Sequence, residues 1–404
     1  MMDDDGPAKI DLRSLRRPSE SRLLLVVADG LGGSADGDHG TELEEARTPH
    51  LDALAADGIL GLLEPVGPGI TPGSGPGHLA LFGYDPLEFR LGRGVLTAAG
   101  IGVELRKGDV AARGNLCRLD DGGTIVDRRA GRIADERATR LLEKLQDGVA
   151  VGGATVEFHH VRQHRFLLVL RGDGLDDRLA DTDPSETGRP PLEPAALSDD
   201  AGHTRDLVAD VVGQAEDVLA GEEANGILLR GFEGRKILPS FEERYGLRAA
   251  AVASYPMYRG LARLVGMEVL EHAESLEHGC RLLANAWKDH DYFFLHHKDP
   301  DSAGEIGDFE GKKAAIEALD GVVPDLRRLS PDVMAVTGDH ATPSHLRSHS
   351  WHPVPVVVTS GGERDEQTRF GERWCRRGAL GLRRSVHLMP LMLAMADRLT
   401  KFGA

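Results

Sequence analysis

Arg22-Leu-Leu-Leu-Val-Val-Ala-Asp-Gly-Leu-Gly-Gly33 is an unbroken apolar run closed by an acid and a glycine-rich turn. A strand with one wet face alternates apolar and polar residues; a run without alternation reads as a strand buried on both faces. Its turn falls at the strand's C-terminal end, the edge where open α/β sheets bind ligands. Similar runs recur at Tyr292-Phe-Phe-Leu295, at Val333-Met-Ala-Val-Thr337 and at Pro353-Val-Pro-Val-Val-Val-Thr359. In the last of these, Pro355 predicts an edge strand or a bent entry, because proline cannot donate to a ladder.

Helices are predicted between these runs. Thr48-Pro-His-Leu-Asp52 has a start signal, with Thr48 as N-cap and Pro49 at the first helical position, and Gly58 is a stop. Residues 309–328 place Phe309, Ala315, Ile316, Leu319 and Val323 on one face, and the tail from 387 to 400 reads as helical. The Gly/Pro-rich stretch 66–77 reads as a rigid loop, and residues 1–20 as a polar lead-in. The sequence therefore predicts a doubly wound α/β sheet.

From about residue 90 to 245 the texture changes to short strands, such as Arg165-Phe-Leu-Leu-Val-Leu170, with a Pro/Asp-rich loop at 181–200 and an amphipathic helix at 204–219. The predicted organisation is a discontinuous catalytic domain, 1–90 with 246–404, carrying an inserted smaller α/β (α+β) domain, 91–245.

Composition bounds the function. The chain has 404 residues, 41% of them hydrophobic, and a net charge of −17. That charge and an aromatic content of 5% argue against nucleic-acid binding. An anionic substrate would need local cations to overcome the global field. Cys117, Cys280 and Cys375 form no spaced pair and point to a reducing compartment. No stretch approaches the roughly 20 apolar residues of a membrane span. A cytoplasmic location with no membrane partner is expected; the oligomeric state stays open.

Four short sites place an acid or histidine just after a strand: Asp29, Asp301 with Glu305, Asp339-His340, and His349. Carboxylate and imidazole donors suit Mn²⁺, Zn²⁺ or Mg²⁺. Each has a plainer reading taken alone, since an acid after a strand commonly caps a helix and a lone histidine is commonly a surface residue. Ser74, in Pro72-Gly-Ser-Gly-Pro-Gly-His78, is flanked by glycines that let backbone approach a phosphate and expose the hydroxyl; the plainer reading is a linker. Arg113, Arg128, Arg129, Arg132, Arg165, Arg230 and Arg259 offer planar forks for phosphate or carboxylate, against a plainer reading as a solvated salt-bridge face.

Taken together, Asp29-Gly-Leu-Gly-Gly33, Pro72 to Leu79 with Phe82-Gly-Tyr-Asp-Pro86, Asp127-Arg-Arg-Ala-Gly-Arg132, Gly307-Asp-Phe-Glu-Gly-Lys312, Gly338-Asp-His340 and His349-Ser-Trp-His-Pro-Val-Pro355 resemble a known family over roughly residues 22–400. It is the archaeal-type 2,3-bisphosphoglycerate-independent phosphoglycerate mutases of the alkaline phosphatase superfamily. The resemblance implies an alkaline-phosphatase-like fold and two divalent ions, with no bisphosphoglycerate cofactor. Asp29, Ser74, Asp339 and His340 would hold one ion; Asp301, residue 305 and His349 would hold the other. It further implies that Ser74 is phosphorylated by phosphoglycerate and returns the phosphoryl group to the other hydroxyl. The inserted domain would close over the site and hold the glycerate through Arg128, Arg129 and Arg132, with Arg113, Asn115 and Arg165 nearby.

Two positions depart from the family pattern. Glu305 stands where a histidine ligand is expected, which favours Mg²⁺ or Mn²⁺ over Zn²⁺ or Co²⁺. Arg259 stands where a lysine is expected. Both keep open a related metal-dependent phosphohydrolase acting on another phosphate ester, and a non-catalytic relative with a degraded metal site.

Overall fold

The computed structural model describes residues 11–37 and 39–403. The predicted lead-in therefore lies partly outside the described residues; within them, Leu12–Leu15 form a 3-10 turn and Arg16 bridges Leu399. In chain order the strands are β1 (Leu23–Ala28), β2 (Ile59–Glu64), β3 (Val110–Leu119), β4 (Ile125–Asp127), β5 (Thr155–Arg162), β6 (Arg165–Arg171) and β7 (Gly226–Gly234). They continue with β8 (Ala249–Val252), β9 (Glu268–Val269), β10 (Tyr292–His297), β11 (Val333–Thr337), β12 (Val354–Thr359) and β13 (Gly381–Arg384). The chain divides into two compact units, one made of residues up to Arg90 and from Leu238 onward, the other of Leu91–Ile237.

The first unit is built on an eight-stranded sheet in the order β13-β2-β12-β11-β1-β10-β8-β9. Strands β11, β1, β10 and β8 are mutually parallel neighbours. Every residue of β1, β10 and β11 is buried, as their unbroken apolar runs require. Alternation sorts the two faces. Leu24, Val26, Phe293, Leu295, Met334 and Val336 join a core with Leu51 and Leu54 of helix Pro49–Asp57 and Ile316, Leu319 and Val323 of helix Phe309–Arg328. On the other face the Phe294 ring meets Phe82 edge-on at 4.9 Å.

Because β1, β10 and β11 point the same way, the residues that follow them emerge together. Ala28 pairs with His297, and Val27 with Thr337. Asp29, Lys298 to Asp301 and Gly338 to His340 therefore leave the sheet at one edge. Strand β12 runs antiparallel to β11, so its entry from His349 to Pro353 reaches that edge too.

Three local readings need correction. Residues 66–77 are not loop throughout: a helix, Ser74–Leu81, starts at the serine. Pro76 is harmless there because the first N–H groups of a helix have no intrahelical partner. The second correction concerns β12, which is central, pairing with both β11 and β2. The β11 ladder reaches only Val356, so Pro355 lies beyond it and its missing N–H breaks no bond on that side. Its carbonyl instead accepts from Thr337 Oγ1 at 2.8 Å. The tail helix is also shorter than predicted, Leu388–Met395. Thr48 occupies the N-cap position, but its side chain makes no capping bond.

The second unit has a five-stranded sheet, β4-β3-β6-β5 with β7 also paired to β3. Val110, Ala112, Leu116, Leu168 and Leu229 face a core shared with helices Asp135–Gly148 and Gly202–Val218. The three cysteines are unpaired and buried. Among the described residues, no helix is long and apolar enough to cross a membrane.

Candidate metal and nucleophile centre

Ser74 is the first residue of its helix, so its hydroxyl sits at the helix's N-terminal end. Close packing in this turn explains Gly77: a Cβ there would stand 2.4 Å from the Asp339 carbonyl oxygen. Ser74 Oγ lies 3.1 Å from His340 Nε2. The same nitrogen lies 3.2 Å from Asp29 Oδ1 and 3.2 Å from Asp339 Oδ2. Asp29, Asp339 and His340 are completely buried.

These separations suit donors that share one ion. Bonds of about 2.0–2.2 Å in a tetrahedral arrangement place ligand atoms about 3.3–3.6 Å apart. Asp29 Oδ1 and Asp339 Oδ2 are buried and accept no hydrogen bond. Buried carboxylate oxygens are normally satisfied, so this pair suits a cation. The imidazole is oriented for it as well. Thr342 Oγ1 donates to Asp301 Oδ1 at 2.7 Å and so accepts from His340 Nδ1 at 3.0 Å, which leaves Nε2 as the atom that takes either a proton or a cation.

A second group, Asp301, His340 and His349, also brings its ligand atoms together. His349 Nδ1 donates to the Pro72 carbonyl at 2.9 Å, and its Nε2 stands 3.5 Å from Asp301 Oδ1. Glu305 lies at the rim, 56% exposed, with Oε1 3.8 Å from His349 Nε2. His340 stacks on His349 at 3.7 Å between ring centroids, so the two groups adjoin.

Several residues that line the site were missed by the sequence reading. Lys298 Nζ is 2.5 Å from Asp301 Oδ2, 3.2 Å from Asp29 Oδ2 and 3.1 Å from the Tyr258 hydroxyl. His296 Nε2 is 3.0 Å from Asp29 Oδ2, and its ring stacks on Tyr258 at 3.8 Å. His78 Nδ1 faces both the Ser74 carbonyl at 2.9 Å and Asp339 Oδ2 at 3.1 Å. Spacing held the signal: His78 is one helical turn after Ser74, and Lys298 is one turn before Asp301.

Electrostatics follows from this crowding. Burial opposes ionisation of Asp29, but the imidazoles of His296 and His340 and the Lys298 charge beside it hold its pKa well below the ordinary value. Burial lowers His296 to about 4, so it is neutral. Burial also opposes protonation of His340, yet Asp339, Asp29 and Asp301 raise it to about 9. A dense set of carboxylates thus seeks positive charge, and without metal His340 supplies part of it.

Most of the predicted substrate arginines belong to the second unit. In the second unit, Arg113 pairs across the sheet with Arg230, and Asn115 with Arg165. Residues two apart share a strand face, so Arg113 and Asn115 lie together, opposite the face that carries Ala112 and Leu116. Buried His164 registers the positive field: burial and then the charges of Arg165, Arg129, Arg113 and Arg132 lower its pKa to about 4. Arg128 forms a two-pronged pair with buried Asp183, at 2.8 and 2.7 Å. In the first unit, Arg259 Nη1 donates to the carbonyls of Ala253 and Leu270 at 3.2 and 3.1 Å. That guanidinium caps backbone.

The chain is similar to several known proteins over nearly its whole length. The model of a family described as 2,3-bisphosphoglycerate-independent phosphoglycerate mutase matches residues 55–225. A Thermus thermophilus protein named probable 2,3-bisphosphoglycerate-independent phosphoglycerate mutase is 48% identical over 400 residues, 97% of this chain and 98% of its own. A Deinococcus radiodurans protein of the same name is 48% identical over 405 residues, with the same coverage. Among solved structures, the PH0037 protein of Pyrococcus horikoshii aligns at a TM-score of 0.82 and 28% identity, over 96% of this chain and all of that one. The cofactor-independent phosphoglycerate mutase of Thermoplasma acidophilum aligns at 0.70 and 28% identity, over 93% of this chain and 100% of that one. The doubly wound α/β sheet expected from the sequence is present, and the fold is shared with these two solved structures.

Proposed function

The chain belongs to the 2,3-bisphosphoglycerate-independent phosphoglycerate mutases, and from that premise we propose that it interconverts 3-phosphoglycerate and 2-phosphoglycerate through a phosphorylated Ser74. The observation that carries this reading is the convergence of Ser74 Oγ, Asp29 Oδ1 and Asp339 Oδ2 on His340 Nε2, all within 3.2 Å of it. Asp29, Ser74, Asp339 and His340 would hold one divalent ion; Asp301, Glu305 and His349 would hold another. When bound, such ions supply positive charge to the phosphoryl oxygens and acidify the serine hydroxyl.

The chain's own residues account for the rest. Ser74 Oγ attacks phosphorus, the bond from phosphorus to the glycerate oxygen breaks, and the serine proton ends on that glycerate oxygen. The other glycerate hydroxyl then attacks the phosphoserine, and its proton returns to Ser74. No group is gained or lost, as an isomerisation requires. The N-terminal end of helix Ser74–Leu81 presents unpaired N–H groups to the phosphoryl oxygens. Lys298, between Asp29 and Asp301, adds a fixed positive charge. Arg113, Arg165 and Arg230 offer forks for the carboxylate and phosphate of a small phosphoglycerate. Water must be kept from the phosphoserine, or the product is free phosphate.

The test is direct. Metal-loaded protein is given 3-phosphoglycerate without bisphosphoglycerate, and 2-phosphoglycerate and inorganic phosphate are followed together. Formation of 2-phosphoglycerate without phosphate is the expected result. Phosphate alone would replace the mutase reading with a phosphohydrolase. No turnover with Mn²⁺, Mg²⁺, Zn²⁺ or Co²⁺ would remove the catalytic reading for this substrate.

A further inference from the structure

Lys312 ends the segment Gly307-Asp-Phe-Glu-Gly-Lys312, and no step of the proposed chemistry uses it. It lies in the first turn of helix Phe309–Arg328, and its side chain is completely buried. An ammonium has three protons and no acceptor. Here two protons are hydrogen-bonded, to the Thr342 carbonyl at 2.8 Å and the Gly32 carbonyl at 3.1 Å, and the charge is paired with Glu42 Oε2 at 3.4 Å.

The identity of those partners matters. Gly32 is three residues beyond Asp29, and Thr342 is two beyond His340. The same two loops are laced by backbone bonds, Thr342 N to Gly32 O at 3.0 Å and Gly32 N to His340 O at 3.3 Å. Glu42 extends the contact, since its Oε1 accepts from Ser344 N at 2.7 Å. From another direction, Glu372 accepts from Gly33 N at 2.9 Å and from Thr41 Oγ1 at 2.5 Å. A buried charge is costly unless paired, and stability alone would be served as well by an apolar side chain in this core. A lysine that is hydrogen-bonded to both of these loops and ion-paired with the carboxylate beside them has a different consequence: it fixes the loops relative to each other.

We infer that Lys312, together with Glu42, is a positioning residue of the metal centre. It locks the turn after Asp29 to the turn after Asp339-His340, so that Asp29 Oδ1, Asp339 Oδ2 and His340 Nε2 are converged before a cation arrives. Arginine cannot substitute, because a planar fork does not direct donors to three acceptors around one point. The inference rests on the reading of this group as a metal site.

The experiment is a calorimetric titration of the full chain with Mn²⁺ and no substrate, comparing wild type, Lys312→Met, Glu42→Gln and Leu319→Ala. Leu319 is a buried apolar residue on the same helix and controls for simple destabilisation. Lys312→Met should bind Mn²⁺ about 10–100-fold more weakly, and its lost turnover should recover as Mn²⁺ is raised. Leu319→Ala should melt earlier with unchanged Mn²⁺ affinity. Should Lys312→Met fail to fold, Glu42→Gln carries the test, because it keeps an acceptor for Ser344 and removes only the charge; binding should weaken several-fold. Affinity within twofold of wild type in the variant that carries the test, or equal weakening in Leu319→Ala, overturns the inference. Absence of Mn²⁺ uptake by wild type overturns the metal reading itself, a result separable from the variants' behaviour.

Discussion

Ser74 Oγ stands 3.1 Å from His340 Nε2, although the two residues are 266 positions apart in sequence. One hydroxyl at a helix start and one imidazole at a strand end share a point that two unsatisfied carboxylate oxygens also reach. Under the proposed reading the nucleophile sits inside the ligand group, so the reactivity of Ser74 would depend on the cation held there.

Ser74→Ala should therefore abolish turnover, by on the order of 10⁴-fold or more, because no other hydroxyl replaces the nucleophile. Mn²⁺ binding should fall modestly, since three of four donors remain. Brief mixing with ³²P-labelled 3-phosphoglycerate and acid quenching should leave label on wild type and none on the variant. Labelled Ser74→Ala protein would place the covalent step elsewhere.

Glu305 tests the second ion. Its carboxylate is at the rim, 3.8 Å from His349 Nε2. A carboxylate favours harder cations than an imidazole does. Glu305→His should raise activity with Zn²⁺ or Co²⁺ relative to Mg²⁺ or Mn²⁺ by roughly tenfold. Activity ratios after chelation and reloading with each ion give the answer; an unchanged profile means that Glu305 does not bind metal.

How much of this was legible in the sequence depends on range. Buried strands such as Leu23–Ala28 announce themselves because lack of alternation is a local property. The arrival of Asp29 and Asp339 at one sheet edge was legible through their place after those strands. The helix at Ser74 was hidden because Gly77 answers to a distant neighbour, the Asp339 carbonyl, that local propensity does not contain. Lys298, His296 and Tyr258 were missed for the same reason: each acts through a partner on another strand or helix. Arg128 and Arg259 looked like free cations in sequence, but Asp183 and two backbone carbonyls engage them.

Arg230 separates substrate binding from metal binding. It pairs across the sheet with Arg113 of β3, and its ion pairs among the described residues are long, 3.5 Å to Asp181 and 3.7 Å to Asp183. A charge-assisted bond to substrate is worth about 1.5–3 kcal/mol. Arg230→Ala should raise the KM for 3-phosphoglycerate by about 10–100-fold while Mn²⁺ affinity in the titration stays as in wild type. An unchanged KM would remove Arg230 from the substrate-binding set.

The pH response of the metal-stripped chain follows from His340. Its pKa rises from the ordinary 6.5 to about 9 when Asp339, Asp29 and Asp301 overcome burial. A raised folded-state pKa means that protonated His340 contributes stability below pH 6.5, and that this is lost as pH rises through 9. Asp29 and Asp339, both held below 3.8, act in the other direction, but only at acid pH. His296, already neutral above about 4, adds nothing in this window. The Tm of chelator-treated protein should therefore fall between pH 6.5 and 9. A cation on Nε2 excludes that proton, so Mn²⁺ uptake should release one and tighten over the same interval. The difference in Tm with and without Mn²⁺ should widen as pH rises; a constant difference would show that His340 does not exchange a proton for metal.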